Sequence, residues 1–188
     1  REAWAEMQRR TASGIDRYDV ARGGEREWWG AFVQEVLHRL DHDADWRPLL
    51  DELWRAFARP EVWKAYPKAH FTLEKLRGWN IPLAVISNWD RRLPTILEDL
   101  GFTPFFDVIT VSSLVGHEKP GSEIFRLTLE QLGTSPAETI HVGDSPLEDY
   151  RGAADAGLMP LLIDRNGLFT EQPYRRVTSL SEVIDLFG

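Results

Sequence analysis

The sequence contains no cysteine. That excludes disulfides, thiol nucleophiles and thiolate metal sites, and it agrees with a cytoplasmic location. Long hydrophobic runs are missing too: no apolar stretch approaches the ~20 residues of a membrane span. Positive charge is in deficit. Lys and Arg total 22 against 30 Asp and Glu, a net charge of −8, which disfavours nucleic acid and anionic membranes as partners. An acidic protein still binds a phosphorylated small molecule when a metal ion supplies local positive charge. No Gly-rich dinucleotide fingerprint occurs, which argues against hydride transfer. The opening residues, Arg1-Glu2-Ala3-Trp4, carry no signal-peptide pattern and read as the middle of a helix. The sequence is therefore expected to be part of a longer chain.

What is present suits a globular protein. The 188 residues are 43% hydrophobic and 28% charged, enough for one large domain or a core with a smaller appendage. Residues 1–68 hold six of the eight tryptophans: Trp4, Trp28, Trp29, Trp46, Trp54 and Trp63. Trp29, Val33, Val36, Leu37 and Leu40 form a helical stripe, with Trp28 and Phe32 beside it. Leu49, Leu50, Leu53, Trp54 and Phe57 form a second stripe, stopped by Pro60. A short piece with Val62, Trp63 and Tyr66 ends at Pro67, and Thr11 to Glu25 reads as a loop. This half is predicted to be a small helical bundle with the aromatic stripes as its core.

From residue 69 the pattern alternates. A helix over 69–77 precedes the apolar run Ile81–Ile86, expected to be a strand buried on both faces. It ends at Ser87-Asn88-Trp89-Asp90. Leu93, Ile96, Leu97 and Leu100 mark a helix stopped at Gly101. Phe106–Val111 is a second strand, and the loop from Gly116 to Gly121 opens a helix carrying Ile124, Phe125, Leu129 and Leu132. Thr139–Val142 and Leu158–Ile163 are further strands, followed by an edge piece at Val177 and a helix over Leu180–Phe187. Such alternation predicts an α/β core with a mostly parallel, Rossmann-like sheet over 69–188.

Parallel strands bring their C-terminal ends to one edge, where α/β proteins bind ligands. That edge would carry Ser87 and Asn88, then Lys119, then Asp144 and Asp149. Separately, each has a plain reading: turn formers, an exposed loop lysine, an acidic helix cap. Together they suit a phosphoryl group. The hydroxyl and backbone N–H groups donate to its oxygens, Lys119 neutralises charge, and two carboxylates on one turn suit a hard cation, Mg²⁺ or Ca²⁺. Asp41-His42-Asp43-Ala44-Asp45 also contains Asp-x-Asp, but a helical run precedes it and it reads as a solvated helix terminus. His117 and His141 find no partners for a zinc set.

The segments ISNWD, GHEKPGSEIF and HVGDSPLEDYRGAADAG resemble, in order and strand context, three motifs of the haloacid dehalogenase superfamily of hydrolases, on its phosphatase-like side. The resemblance runs from about Tyr66 to Ile163. It implies that Ser87 binds the phosphoryl group, Asn88 assists, Lys119 stabilises charge and Asp144 ligates Mg²⁺. Asp149 would ligate it or orient a water on it, with Glu148 as an alternative second acid. It also implies that residues 1–68 form a helical cap that closes over the site; Trp28, Trp29 or Arg17 are candidates to line the closed cleft, though nothing in the sequence singles them out, and Trp89 either floors the pocket or packs. The family's first motif, a strand ending in Asp-x-Asp that supplies the nucleophile and the general acid/base, is absent. That strand is central in the family's sheet, so the strands leading to Ser87 and Asp144 should lack a shared neighbour, and an N-terminal extension is expected. The expected function is a Mg²⁺-dependent phosphatase of a small phosphorylated metabolite, acting as monomer or dimer and inactive as this chain alone. The alternatives are a metal-independent 2-haloacid dehalogenase and a non-catalytic phosphate-binding module.

Overall fold

The computed structural model describes residues 2–3, 6–7, 24–42 and 45–187. Trp4, Arg17, Asp43 and the expected loop as far as residue 23 lie outside them. The chain divides into two compact units, Arg1–Trp63 and Lys64–Gly188. No helix among the described residues is long and apolar enough to cross a membrane.

The smaller unit contains α1 (Gly24–Arg39), α2 (Trp46–Ala56) and a 3₁₀ turn at Pro60–Val62. Its buried set is narrower than the expected stripes. Ala3, Met7, Trp28, Gly30, Val33 and Leu50 are buried, whereas Leu40, just past the end of α1, is 70% exposed. Gly30 lies outside the stripe, yet it sets the helix contact: a Cβ there would overlap the Trp46 ring. Arg26 pairs with Asp51 between the helices. Asp45 caps α2 by accepting from the Arg47 N–H at 3.1 Å, so the end of the acidic stretch is a helix start.

The larger unit runs α3 (Ala69–Gly78), β1 (Ala84–Ser87), α4 (Leu93–Asp99), β2 (Val108–Val111), α5 (Ser112–Val115), α6 (Ser122–Leu132) and β3 (Ile140–Gly143). A single π turn, Pro146–Arg151, leads into α7 (Gly152–Asp155), then come β4 (Met159–Ile163), β5 (Arg176–Val177) and a closing 3₁₀ helix, Leu180–Leu186. Ser179 and Glu182 form a capping box on that last helix. Every strand pair is parallel. Ile124, Phe125, Leu129, Ala153 and Leu158 pack as one cluster, with Ile86 against it. Leu161, Ile163, Val177 and Val183 pack as another, with Ile140 and Val142 against it.

The strands form two sheets, β1-β2 and β3-β4-β5, and no ladder joins β1 to β3 among the described residues. The direction of the missing ladder follows from alternation along a strand. Leu83 O accepts from Asp107 N, so Val85 and Ser87 also face β2, while Ala84 and Ile86 face away from it. Thr139 O accepts from Met159 N, so His141 and Gly143 face β4, while Ile140 and Val142 face away from it. This corrects the expectation that the Ile81–Ile86 strand is buried on both faces. All four residues of β1 are only half-buried, as are all four of β3, because among the described residues each strand has a neighbour on one side only. β2, whose side chains pack on α6, is largely buried.

Candidate active site

The ends of β1 and β3 meet through one side chain. Lys119, only 9% exposed, donates from Nζ to the Ile86 carbonyl of β1 at 3.0 Å and to Asp149 Oδ1 at 2.6 Å. The loop carrying Lys119 is fastened at its backbone. Asn88 Oδ1 accepts from Lys119 N, and Asn88 Nδ2 donates to Lys119 O, both at 2.8 Å. A reciprocal pair of this kind fixes both the position and the tilt of the Lys119 peptide. On its far side the loop packs against Gly152, where a Cβ would lie 2.9 Å from Pro120 Cα.

Asp149 is set by the turn that follows β3. Ser145 caps it: its hydroxyl accepts from Glu148 N at 3.1 Å, and its carbonyl accepts from both Asp149 N and Tyr150 N at 3.0 Å. The wide π turn rotates Asp149 inward to 5% exposure. The carboxylate then folds back onto the strand it came from. A Cβ on Gly143 would overlap it, and Ser145 N donates to Oδ2 at 2.9 Å. His141 Nε2 lies 3.1 Å from Oδ1. Burial works to raise the Asp149 pKa, but the His141 hydrogen bond, the Lys119 charge and the Ser145 N–H outweigh it. They hold the carboxyl well below the usual carboxylate range.

Of the residues singled out from the sequence, Asn88, Lys119 and Asp149 are thus joined by direct hydrogen bonds. Ser87 ends β1 half-buried beside Asn88, and Asp144 follows β3 exposed. Between the two candidate second acids, Asp149 makes the Lys119 contact. The turn after Ser87 has its own clamp. The Ser112 hydroxyl, fully buried, accepts from Trp89 N at 3.0 Å and donates to Trp89 O at 3.1 Å. Asp90, 1% exposed, grips the Arg92 guanidinium through both carboxylate oxygens. The sequence gives no signal for Ser112 or Asp90, because serine after a strand and acid before a helix are common turn residues.

Mg²⁺ suits this donor set. It keeps several waters and commonly takes only one or two protein carboxylates together with substrate phosphate oxygens. Asp144 is exposed and would offer one such carboxylate. Asp149 spends three of about four lone-pair directions on Lys119, His141 and Ser145, which leaves one for an ion or for a water on it. Among the described residues, no three His, Cys, Asp or Glu side chains gather as a closed metal cage.

The family model for haloacid dehalogenase-like hydrolases matches residues 1–157. The mouse haloacid dehalogenase-like hydrolase domain-containing protein 3 is 36% identical over 166 residues, 86% of this chain and 66% of that protein. A phosphoserine phosphatase of Thermus thermophilus is 34% identical over 163 residues, 83% of this chain and 65% of that protein. The chain therefore spans just under two thirds of the length of these relatives. Among solved structures, a HAD phosphatase from Thermococcus onnurineus superposes with a TM-score of 0.68 at 27% identity, covering 96% of this chain and 79% of that one.

Proposed function

Since this chain belongs to the haloacid dehalogenase-like hydrolases, we propose that its larger unit is the greater part of a Mg²⁺-dependent phosphatase acting on a small phosphorylated metabolite. The observation that carries this reading is the buried Lys119 ammonium. It sits between the ends of β1 and β3 and uses two of its three N–H groups on Ile86 and Asp149. The third is left for an incoming anion.

In this reading the Ser87 hydroxyl and the second N–H of Asn88 Nδ2 donate to phosphoryl oxygens, and Lys119 balances charge that grows on them during transfer. Asp144 and Asp149 would hold Mg²⁺, which supplies further positive charge opposite the phosphoryl group. The nucleophile is a carboxylate outside this chain, on a strand pairing with β1 through Ala84 and Ile86 and with β3 through Ile140 and Val142. Its oxygen attacks phosphorus, the ester P–O bond breaks, and the alkoxide departs with a proton from a general acid. Water then cleaves the acyl phosphate, which returns the carboxylate and releases inorganic phosphate. The smaller unit is assigned the part of a helical cap that selects the substrate. The phosphoserine phosphatase relative supports a phosphate ester as substrate.

The test is an assay of the protein expressed with the coding sequence upstream of Arg1, against a panel of phosphomonoesters and 2-haloacids, with Mg²⁺ and with EDTA. The reading expects phosphate release that needs the metal and disappears in EDTA. Halide release that survives EDTA, without phosphate release, would make the protein a dehalogenase instead.

A further inference from the structure

We propose that His141 is a positioning residue: its Nε2–H holds the Asp149 carboxylate in the orientation that seats the Lys119 ammonium. The inference rests on the phosphatase reading only for what Lys119 is for, and not for the contact itself. Side chains alternate across a strand, so His141 and Gly143 of β3 point to the same face. Asp149 lies on that face and touches both. Gly143 gives it room, since any Cβ there would overlap the carboxylate. His141 gives it a donor at 3.1 Å, on the same Oδ1 that receives Lys119 Nζ at 2.6 Å.

A carboxylate oxygen only accepts, so the proton of this contact is on His141 Nε2. The ring is itself held. It stands edge-on to Phe125 of α6, with centroids 5.1 Å apart and planes at 87°, and its side chain is 11% exposed. Phe125 is fully buried in the cluster that also packs Ile86, whose carbonyl is the other acceptor of Lys119 Nζ. The ring therefore cannot swing away without breaking a packed core. Ser145 N donates to the other oxygen, Oδ2, at 2.9 Å. Two donors on two oxygens define the plane of the carboxylate, and the plane decides where the ammonium sits.

Two variants separate this role from simple packing. His141→Phe keeps a ring against Phe125 and loses the donor; His141→Gln keeps an N–H donor and loses the ring. The readout is amine acylation with peptide mapping. The chain has four lysines, and Lys64, Lys68 and Lys75 are exposed and serve as internal references for buried Lys119. Asp149→Asn defines the fully released rate. Positioning by the hydrogen bond predicts that His141→Phe speeds Lys119 labelling roughly tenfold, the scale of a lost charge-assisted hydrogen bond. It predicts that His141→Gln stays near the parent rate. The opposite order, with Gln released and Phe protected, overturns the proposal, as does parent-like protection in both. Thermal unfolding of each variant confirms that labelling reads the site and not a lost fold. The parent protein gives a second reading without substitution: long-range ¹H–¹⁵N spectra must show His141 Nε2 protonated, and a bare Nε2 overturns the assignment. Neither measurement needs turnover, so the phosphatase reading can fail in its own assay while this contact stands, or the reverse.

Discussion

Lys119 and Asp149 are both nearly out of water, with 9% and 8% of their side-chain surface exposed. A pair like this adds little relative to an apolar pair, but removing one member strands the other as a buried charge, at a cost of about 3–5 kcal/mol. Lys119→Met is expected to lose stability on that scale in urea unfolding, with the slope of the transition unchanged. A loss below about 1 kcal/mol, the net worth of an ordinary hydrogen bond, would mean that His141 and Ser145 N–H alone satisfy Asp149. At this scale the sequence shows which residue types converge and not how they are wired. Asn88 reads there as a residue assisting at the phosphate, while the structure shows its amide also making two bonds that fasten the Lys119 backbone. His141 reads there as an incomplete zinc ligand. The strand alternation that puts it beside Gly143 is visible in the sequence, but the turn that brings Asp149 back onto both is a π turn, and no residue pattern signals one.

Elements are readable wherever hydrophobic period and punctuation agree. α3 spans Ala69–Gly78 against an expected 69–77, and the four core strands appear in the expected order, each beginning one to three residues later than the apolar run that announces it. The later starts follow from pairing. A ladder needs a partner strand, and the register of β1 on β2 opens with Ala84 opposite Val108. What ties α3 to the sheet is a charged clip. Asp107 ahead of β2 accepts from Leu83 N at 2.9 Å and from Arg77 of α3 at 2.6 Å. The Leu83 N–H first, and Arg77 second, hold the Asp107 pKa below its ordinary value. The sign follows from linkage. The folded form binds the proton more weakly than the unfolded form, so this contribution is complete above about pH 3.9 and is lost as pH falls through the folded pKa. Asp107→Asn should therefore be less stable than the parent at neutral pH, and the gap should shrink in urea midpoints as the medium is made acidic. A gap independent of pH would show that the hydrogen bond to Leu83 acts without the charge.

For the whole molecule, the divided sheet is the dominant feature. The resemblance implies a central strand missing between the strands that lead to Ser87 and Asp144, and β1 and β3 do share no ladder among the described residues. They are held at one end by Lys119 and packed on the two core clusters through Ile86, Ile140 and Val142. The proposal assigns charge balance to Lys119 and metal holding to Asp144 and Asp149, and it puts the nucleophile on a strand supplied from outside this chain. Phosphate release from a phosphomonoester in Mg²⁺, measured side by side for residues 1–188 and for the protein carrying its upstream sequence, tests this most directly. The account predicts release by the longer protein and none above background by residues 1–188. Equal rates from the two would contradict it.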